Sequence, residues 1–165
     1  MALTTLNIKE PGLNVLPPGV ERYVVEGGGL TGIQILPDDE IEIINNEGNQ
    51  ICEISVFNKD GKSELAILGL KEIKDNSEIK KILFKKDETS LQALLQLKKR
   101  NLNIEKSKSS LIFDKETKAG EKIKFKSKDK CYCIIAAPGS EMMVHEQNPS
   151  TDLTVMVKRS VIKEG

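Results

Sequence analysis

Tryptophan is absent from this 165-residue sequence, histidine occurs once, and aromatic side chains make up only 4 %. Platforms for stacking bases or sugars are therefore scarce. There is no surplus of either charge: 25 basic and 25 acidic residues leave a formal net charge of zero. A dedicated nucleic-acid binder or a polybasic membrane-surface module carries a basic excess, so neither partner is expected. No apolar run approaches the roughly 20 residues of a membrane-spanning helix. The first residues do not read as a signal peptide, because Asn7, Lys9 and Glu10 interrupt Leu3, Leu6 and Ile8. Cysteine is sparse and odd in number (Cys52, Cys131, Cys133), which does not make a disulfide framework. These features predict a reduced, cytoplasmic protein. Disorder is excluded by an apolar content of 38 % arranged in alternating runs.

What is present is mostly strand pattern. Arg22–Glu26 reads as a short strand, followed by a Gly27-Gly28-Gly29 turn. That triplet lacks the Gly-Lys-Ser/Thr ending of a phosphate loop, so tight-turn chemistry is the simpler reading. Ile33–Leu36 and Glu40–Ile44 flank Pro37-Asp38-Asp39 as strand, turn, strand, and Asn45–Asn49 forms a second turn. Asp38-Asp39-Glu40 lacks calcium-loop spacing and is read as turn chemistry. In Gln50–Phe57, Cys52, Ile54 and Val56 share one face, while Glu53 and Ser55 share the other. Asp60-Gly61 is a hairpin signal, and Leu65–Leu70 is expected to continue the sheet.

The middle of the chain changes character. Ser77–Leu83 permits one or two helical turns, and Thr89–Asn101 reads as the best helix. Thr89 and Gln92 match capping-box spacing; Leu91, Leu94, Leu95 and Leu102 form the stripe expected to dock on a sheet. Strands then resume. Lys122, Lys124, Lys126 and Lys128 alternate with Ile123, Phe125 and Ser127, which puts the lysines on a solvent face. Cys131–Ala137 is an apolar strand. The last strand, Asp152–Arg159, is expected to point Leu153, Val155 and Val157 inward and Thr154, Met156 and Lys158 outward. About eight short strands with one or two short helices in the middle predict an all-β fold, a jelly-roll-like sandwich or distorted barrel. Residues 1–165 read as a single β-rich module of a larger protein.

Chemistry-bearing residues are few. Cys131 and Cys133, two apart on a strand, share a face with α-carbons about 6.6 Å apart, near the limit for an undistorted disulfide. With Cys52 they offer three thiolates to zinc, and His145 offers a fourth ligand or an open position. The sequence lacks the Cys-x-x-Cys knuckle of structural zinc sites, and free cysteine packs as a small hydrophobe. Any histidine-based acid–base chemistry must use His145, which lies in the loop Met142–Gln147 without a Gly-x-Ser-x-Gly elbow. A cupin-like binder would need histidine-rich ligand strands, and a single histidine argues against one.

Three segments carry a family resemblance: Leu16–Tyr23 with the glycines after it, Glu47–Ile54, and Ala136–Gly139 running to Asn148–Leu153. They resemble the urea carboxylase-associated family, in the form of the module found ahead of aminomethyltransferase (glycine-cleavage T-protein-like) domains in folate-linked one-carbon demethylases of the trimethylamine N-oxide demethylase type. The resemblance covers most of the chain outside its lysine-rich middle. It implies an all-β module of a homo-oligomeric enzyme, partnered by a sister module or an aminomethyltransferase-like domain. Tetrahydrofolate is implied only for a separate domain. In catalytic relatives, cysteines near the last two strands bind zinc. Here Ala136-Ala137-Pro138 and Ser150 stand where those cysteines are expected, with Cys131 and Cys133 upstream. That departure implies a non-catalytic scaffolding module. The alternative is a small zinc-dependent enzyme acting on a methylated amine or a urea- or guanidine-like substrate.

Overall fold

The computed structural model describes residues 19–70, 77–84, 88–113, 116–138 and 151–160. Eight strands run through them: β1 Val20–Val25, β2 Leu30–Ile35, β3 Glu40–Asn45, β4 Cys52–Asn58, β5 Ser110–Phe113, β6 Glu121–Lys126, β7 Cys131–Ala136 and β8 Leu153–Lys158. Two helices, α1 Ser77–Leu83 and α2 Glu88–Lys99, lie between β4 and β5. The strands form two four-stranded antiparallel sheets, ordered β1-β8-β3-β6 and β2-β7-β4-β5. Consecutive strands fall in opposite sheets except at β4–β5, which is the double Greek key of a jelly roll.

Period-two alternation builds the first sheet. Tyr23 and Val25 of β1, Ile41 and Ile43 of β3, and Leu153, Val155 and Val157 of β8 are all buried against the second sheet. The second sheet contributes Ile33, Ile35, Ile54, Val56, Cys133 and Ile135 to the same layer. Each such side chain contributes about 1.5–3 kcal/mol on leaving water. On the outer face of the first sheet, Lys122, Lys124 and Lys126 are exposed as expected, and Lys124 lies 3.8 Å from Glu42 of the neighbouring strand.

The outer face of the second sheet is covered, contrary to the pattern. Glu53 and Ser55, expected on a polar face, are completely buried. A second apolar layer covers it, with Phe57 and Ile134 of the sheet packed with Ile79, Leu83, Ala93, Leu97, Leu102 and Ile104. Ser109 donates a hydrogen bond to Glu53, and Ser55 donates to the Lys108 carbonyl. The helical stripe is also displaced. Among the described side chains of α2, Ser90, Ala93 and Leu97 are buried and Leu94 is half-buried, whereas Leu91 and Leu95 are 52 % and 56 % exposed. The small side chains Ser90 and Ala93 take inward positions with Leu97, and the side of the helix that carries Leu91 and Leu95 faces out. The helix starts at Glu88, so Thr89 lies inside its first turn rather than at the cap. Leu65–Leu68 is a 3-10 turn, not a strand, closed by Gly69 in the left-handed conformation. The Asp60-Gly61 turn is present, with the Gly61 amide donating to the Asn58 carbonyl at 2.9 Å. Thr154, expected outward, is buried because Asn46 covers it. No helix among the described residues is long and apolar enough to cross a membrane.

Candidate functional site

Both ends of the sandwich gather polar groups. One is the end at which β1, β3 and β7 finish and β2, β4 and β8 begin. Described parts of the segments that carried the family resemblance meet here: Gly27–Gly29, Gly48–Ile51, Ala137 and Pro138, and Thr151 and Asp152. The buried Gln50 side chain is its centre: Nε2 donates to the carbonyls of Pro138 and Ile51, each at 2.8 Å, and Oε1 accepts the Thr151 amide at 2.8 Å. Gln50 thus joins the two residues that bracket positions 139–150. Around it, the Gly28 amide donates to the Ala137 carbonyl and the Ala137 amide returns a bond to Gly29. The Gly27 amide donates to Asp152 Oδ1 at 2.9 Å, and Asn45 Nδ2 donates to the Gln50 carbonyl at 2.9 Å. Gly48, at φ 78°, approaches Ala119 so closely that a β-carbon would lie 2.6 Å from its amide nitrogen. The Gly-Asn-Gln run is therefore explained by backbone geometry and amide bonding. The three glycines make a turn, as their composition suggested. His145, the candidate acid–base residue, lies outside the described residues.

The cysteines lie in the core. Cys131 and Cys133 share the inner face of β7 with Sγ atoms 3.9 Å apart, and Ser127 Oγ is 3.6 Å from Cys131 Sγ. All three thiols are free and fully buried. Cys52 does not join the pair. Glu53 stands opposite Ala136 and Val56 opposite Cys133, which leaves Cys52 four residues along β4, about 13 Å away at strand rise. Zinc at about 2.3 Å from each sulfur holds its ligands within about 4 Å of one another. The pair therefore supplies two donors. Among the described residues no three His, Cys, Asp or Glu side chains converge on one point. Among the described residues the cysteines therefore bring two thiolates together rather than three, fewer donors than a zinc centre takes.

The opposite end holds a cluster that the pattern reading missed. Arg159 is 6 % exposed in its side chain. Its Nε and Nη2 meet both oxygens of Glu21 at 3.0 and 2.8 Å, a bidentate fork. Its Nη1 meets Asp39 Oδ2 at 2.6 Å and the Gln34 carbonyl at 3.0 Å. Tyr23 donates its hydroxyl to Glu21 Oε1. Asp39, read from sequence as turn chemistry, also accepts the amides of Leu36 and Ser160, each at 2.9 Å. Glu21 was legible as unusual: it shares the alternation face of Tyr23 and Val25, and so was bound to point inward. Its partners were not legible, because they lie 18 and 138 positions further along the chain.

Burial, and then the Glu53 charge, pushes the Cys52 thiol above its ordinary value. Cys133 is raised by its hydrogen bond to Cys131 and by burial. Cys131 is lowered, first by its bond with Cys133 and then by Ser127, against burial. Burial and Glu21 raise Tyr23. Three of these four groups hold their proton more tightly when folded, so in alkali the unfolded chain releases protons first and is favoured. Cys131 has the opposite sign, its contribution being fully present above the unfolded thiol value. Stability is therefore expected to fall as pH rises from about 8 to about 11, the thiols acting first and Tyr23 above about 10. Urea midpoints measured across that range check this. A midpoint that stays level, or a slope that Cys52→Val and Tyr23→Phe leave unchanged, would contradict it.

An open groove of about 620 Å³ lies between the free edges of β5 and β6, lined by Leu111, Ile112, Phe113, Glu116, Thr117, Glu121, Lys122 and Ile123. None of the candidate residues lines it.

No family model matches the chain. Over 159 residues, 96 % of its length, the chain is 35 % identical to the trimethylamine-oxide aldolase of Ruegeria pomeroyi. It spans only about a fifth of that relative's length (20 %). Nearly end to end, this jelly roll is thus similar to one part of a much longer trimethylamine-oxide aldolase.

Proposed function

We propose that this chain is a non-catalytic assembly module of a trimethylamine-oxide-metabolising enzyme, of the urea carboxylase-associated kind, packing beside a catalytic sister module or an aminomethyltransferase-like domain. One observation carries the reading. The space between the sheets, where a jelly roll would enclose a ligand, is filled by fully buried apolar side chains such as Ile33, Ile43, Ile54 and Val155. The buried charges at its end bind one another. An aldolase releases a carbonyl compound; from trimethylamine oxide the balanced products are formaldehyde and dimethylamine. Tetrahydrofolate, as the acceptor of that one-carbon unit, belongs in this reading to a separate domain.

The rival reading, a small zinc-dependent enzyme acting on a methylated amine or a urea- or guanidine-like substrate, draws on the close Cys131–Cys133 pair. Both are tested on the purified chain supplied with zinc and trimethylamine oxide, by metal analysis and formaldehyde trapping. The assembly reading expects no formaldehyde and no stoichiometric metal. One tightly held zinc per chain that Cys131→Ser removes, or turnover by the chain alone, would overturn it.

A further inference from the structure

We infer that the outward face of α2 is a self-pairing surface, on which a second copy of this chain docks antiparallel about a two-fold axis. This goes beyond the assembly role proposed above and does not rest on it, since a catalytic module would pair through the same face.

Among the described residues, the large apolar side chains that stay exposed are Val24, Phe84, Leu91 and Leu95. Two of them stand four apart on α2, and Phe84 directly follows α1. At 100° per residue, Glu88, Leu91, Leu95, Lys98 and Lys99 fall within about 100° of one another around the helix, opposite the buried Ser90, Ala93 and Leu97. This face carries leucine at its centre, an acid at its N-terminal end and two bases at its C-terminal end, all exposed.

An isologous interface requires a patch that complements itself under a two-fold rotation. Antiparallel pairing with the axis level with Ala93 sets Leu91 against Leu95 of the second copy, and Leu95 against its Leu91. The same register sets Glu88 against the second copy's Lys98, at both ends of the pair. Parallel pairing would instead oppose Glu88 to Glu88 and lysine to lysine. The helix dipoles favour the same choice, because antiparallel axes bring opposite partial charges together. One exposed helix pair buries less than a standard interface, so the dimer is reversible and depends on concentration.

Sedimentation velocity of the 165-residue chain, over a series rising to about 1 mM, the weak end of specific association, reads the equilibrium directly. The expected result is a monomer–dimer equilibrium that Leu91→Glu/Leu95→Glu weakens more than tenfold, with circular dichroism and the urea midpoint retained. Glu88→Lys should weaken pairing severalfold, and combining it with Lys98→Glu/Lys99→Glu should restore it. Restoration by charge exchange separates this register from a general loss of apolar contact. If the double-leucine variant does not fold, the charge series alone decides, since it leaves the apolar face intact. A chain that stays monomeric throughout, a dimer indifferent to Leu91 and Leu95, or a Glu88→Lys defect that the reversed lysines fail to repair would overturn the proposal.

Discussion

Arg159→Met is expected to lower the stability of the folded chain by about 3–5 kcal/mol, the cost of leaving buried carboxylates without their cation. The guanidinium meets Glu21 through two bonds and Asp39 through one, with all three side chains nearly or fully buried. The cluster also ties the first sheet, in which β1, β8 and β3 already lie side by side, to the second. Glu21 lies on β1, Arg159 directly follows β8, Asp39 sits in the turn joining the two sheets, and the Gln34 carbonyl belongs to β2 in the opposite sheet. Removing the cation leaves Glu21 and Asp39 facing each other in a poorly solvated space. Two controls separate charge from volume. Arg159→Lys keeps the charge but loses the planar fork, and should recover part of the loss. The double variant Arg159→Met/Glu21→Leu removes an opposing charge together with the cation, and should be less destabilised than Arg159→Met alone. Urea unfolding followed by circular dichroism gives the differences. A loss below about 1 kcal/mol for Arg159→Met, the range of a surface ion pair, would show that the cluster is hydrated rather than buried.

The second large effect is expected at Gly61. This residue has φ of 82°, and a β-carbon built on it would lie 1.8 Å from the carbonyl oxygen of Asn101. The close approach has a structural purpose. The Asn103 amide donates to the Gly61 carbonyl at 2.9 Å, so the turn after β4 holds the segment that leaves α2. Leu102 and Ile104 on that segment are buried in the layer over the second sheet. Gly61→Ala therefore combines the strain of a left-handed alanine with the displacement of a backbone that cannot rotate away. The expected loss is roughly 2–5 kcal/mol, from about 1–2 kcal/mol of backbone strain and about 1–3 kcal/mol of overpacking. Gly69 is the internal control. It has φ of 73° but open space around its would-be β-carbon, so Gly69→Ala should cost the strain alone. Equal losses at the two positions would show that the Asn101 contact relaxes without cost.

These two sites show where pattern reading succeeds and where it stops. The Asp60-Gly61 turn was visible from its dipeptide; the need for glycine there came from a segment 40 residues away that no local signal announces. Cys131 and Cys133 were assignable to one strand face by alternation, and they share it. Their distance from Cys52 depended on which strands pair and in what register. Asn45 and Gly48 read as turn residues and Gln50 as the start of a strand; that Gln50 joins Pro138 to Thr151 is a property of three distant segments brought to one end of the sandwich.

The sequence by itself determined that this chain makes strands of about six residues, that their apolar faces close on one another, and that its lysines line exposed positions. Those are local consequences of period-two alternation, turn residues and charge. Only the tertiary structure decided which second faces are also covered. Glu53 and Ser55 are buried because α1, α2 and the segment after them cover their sheet; Leu91 and Leu95 stay exposed because α2 turns Ser90, Ala93 and Leu97 inward instead. It likewise decided that Arg159 meets Glu21 and Asp39. Alternation distinguishes the two faces of a strand, but what covers each face is supplied by residues far along the chain.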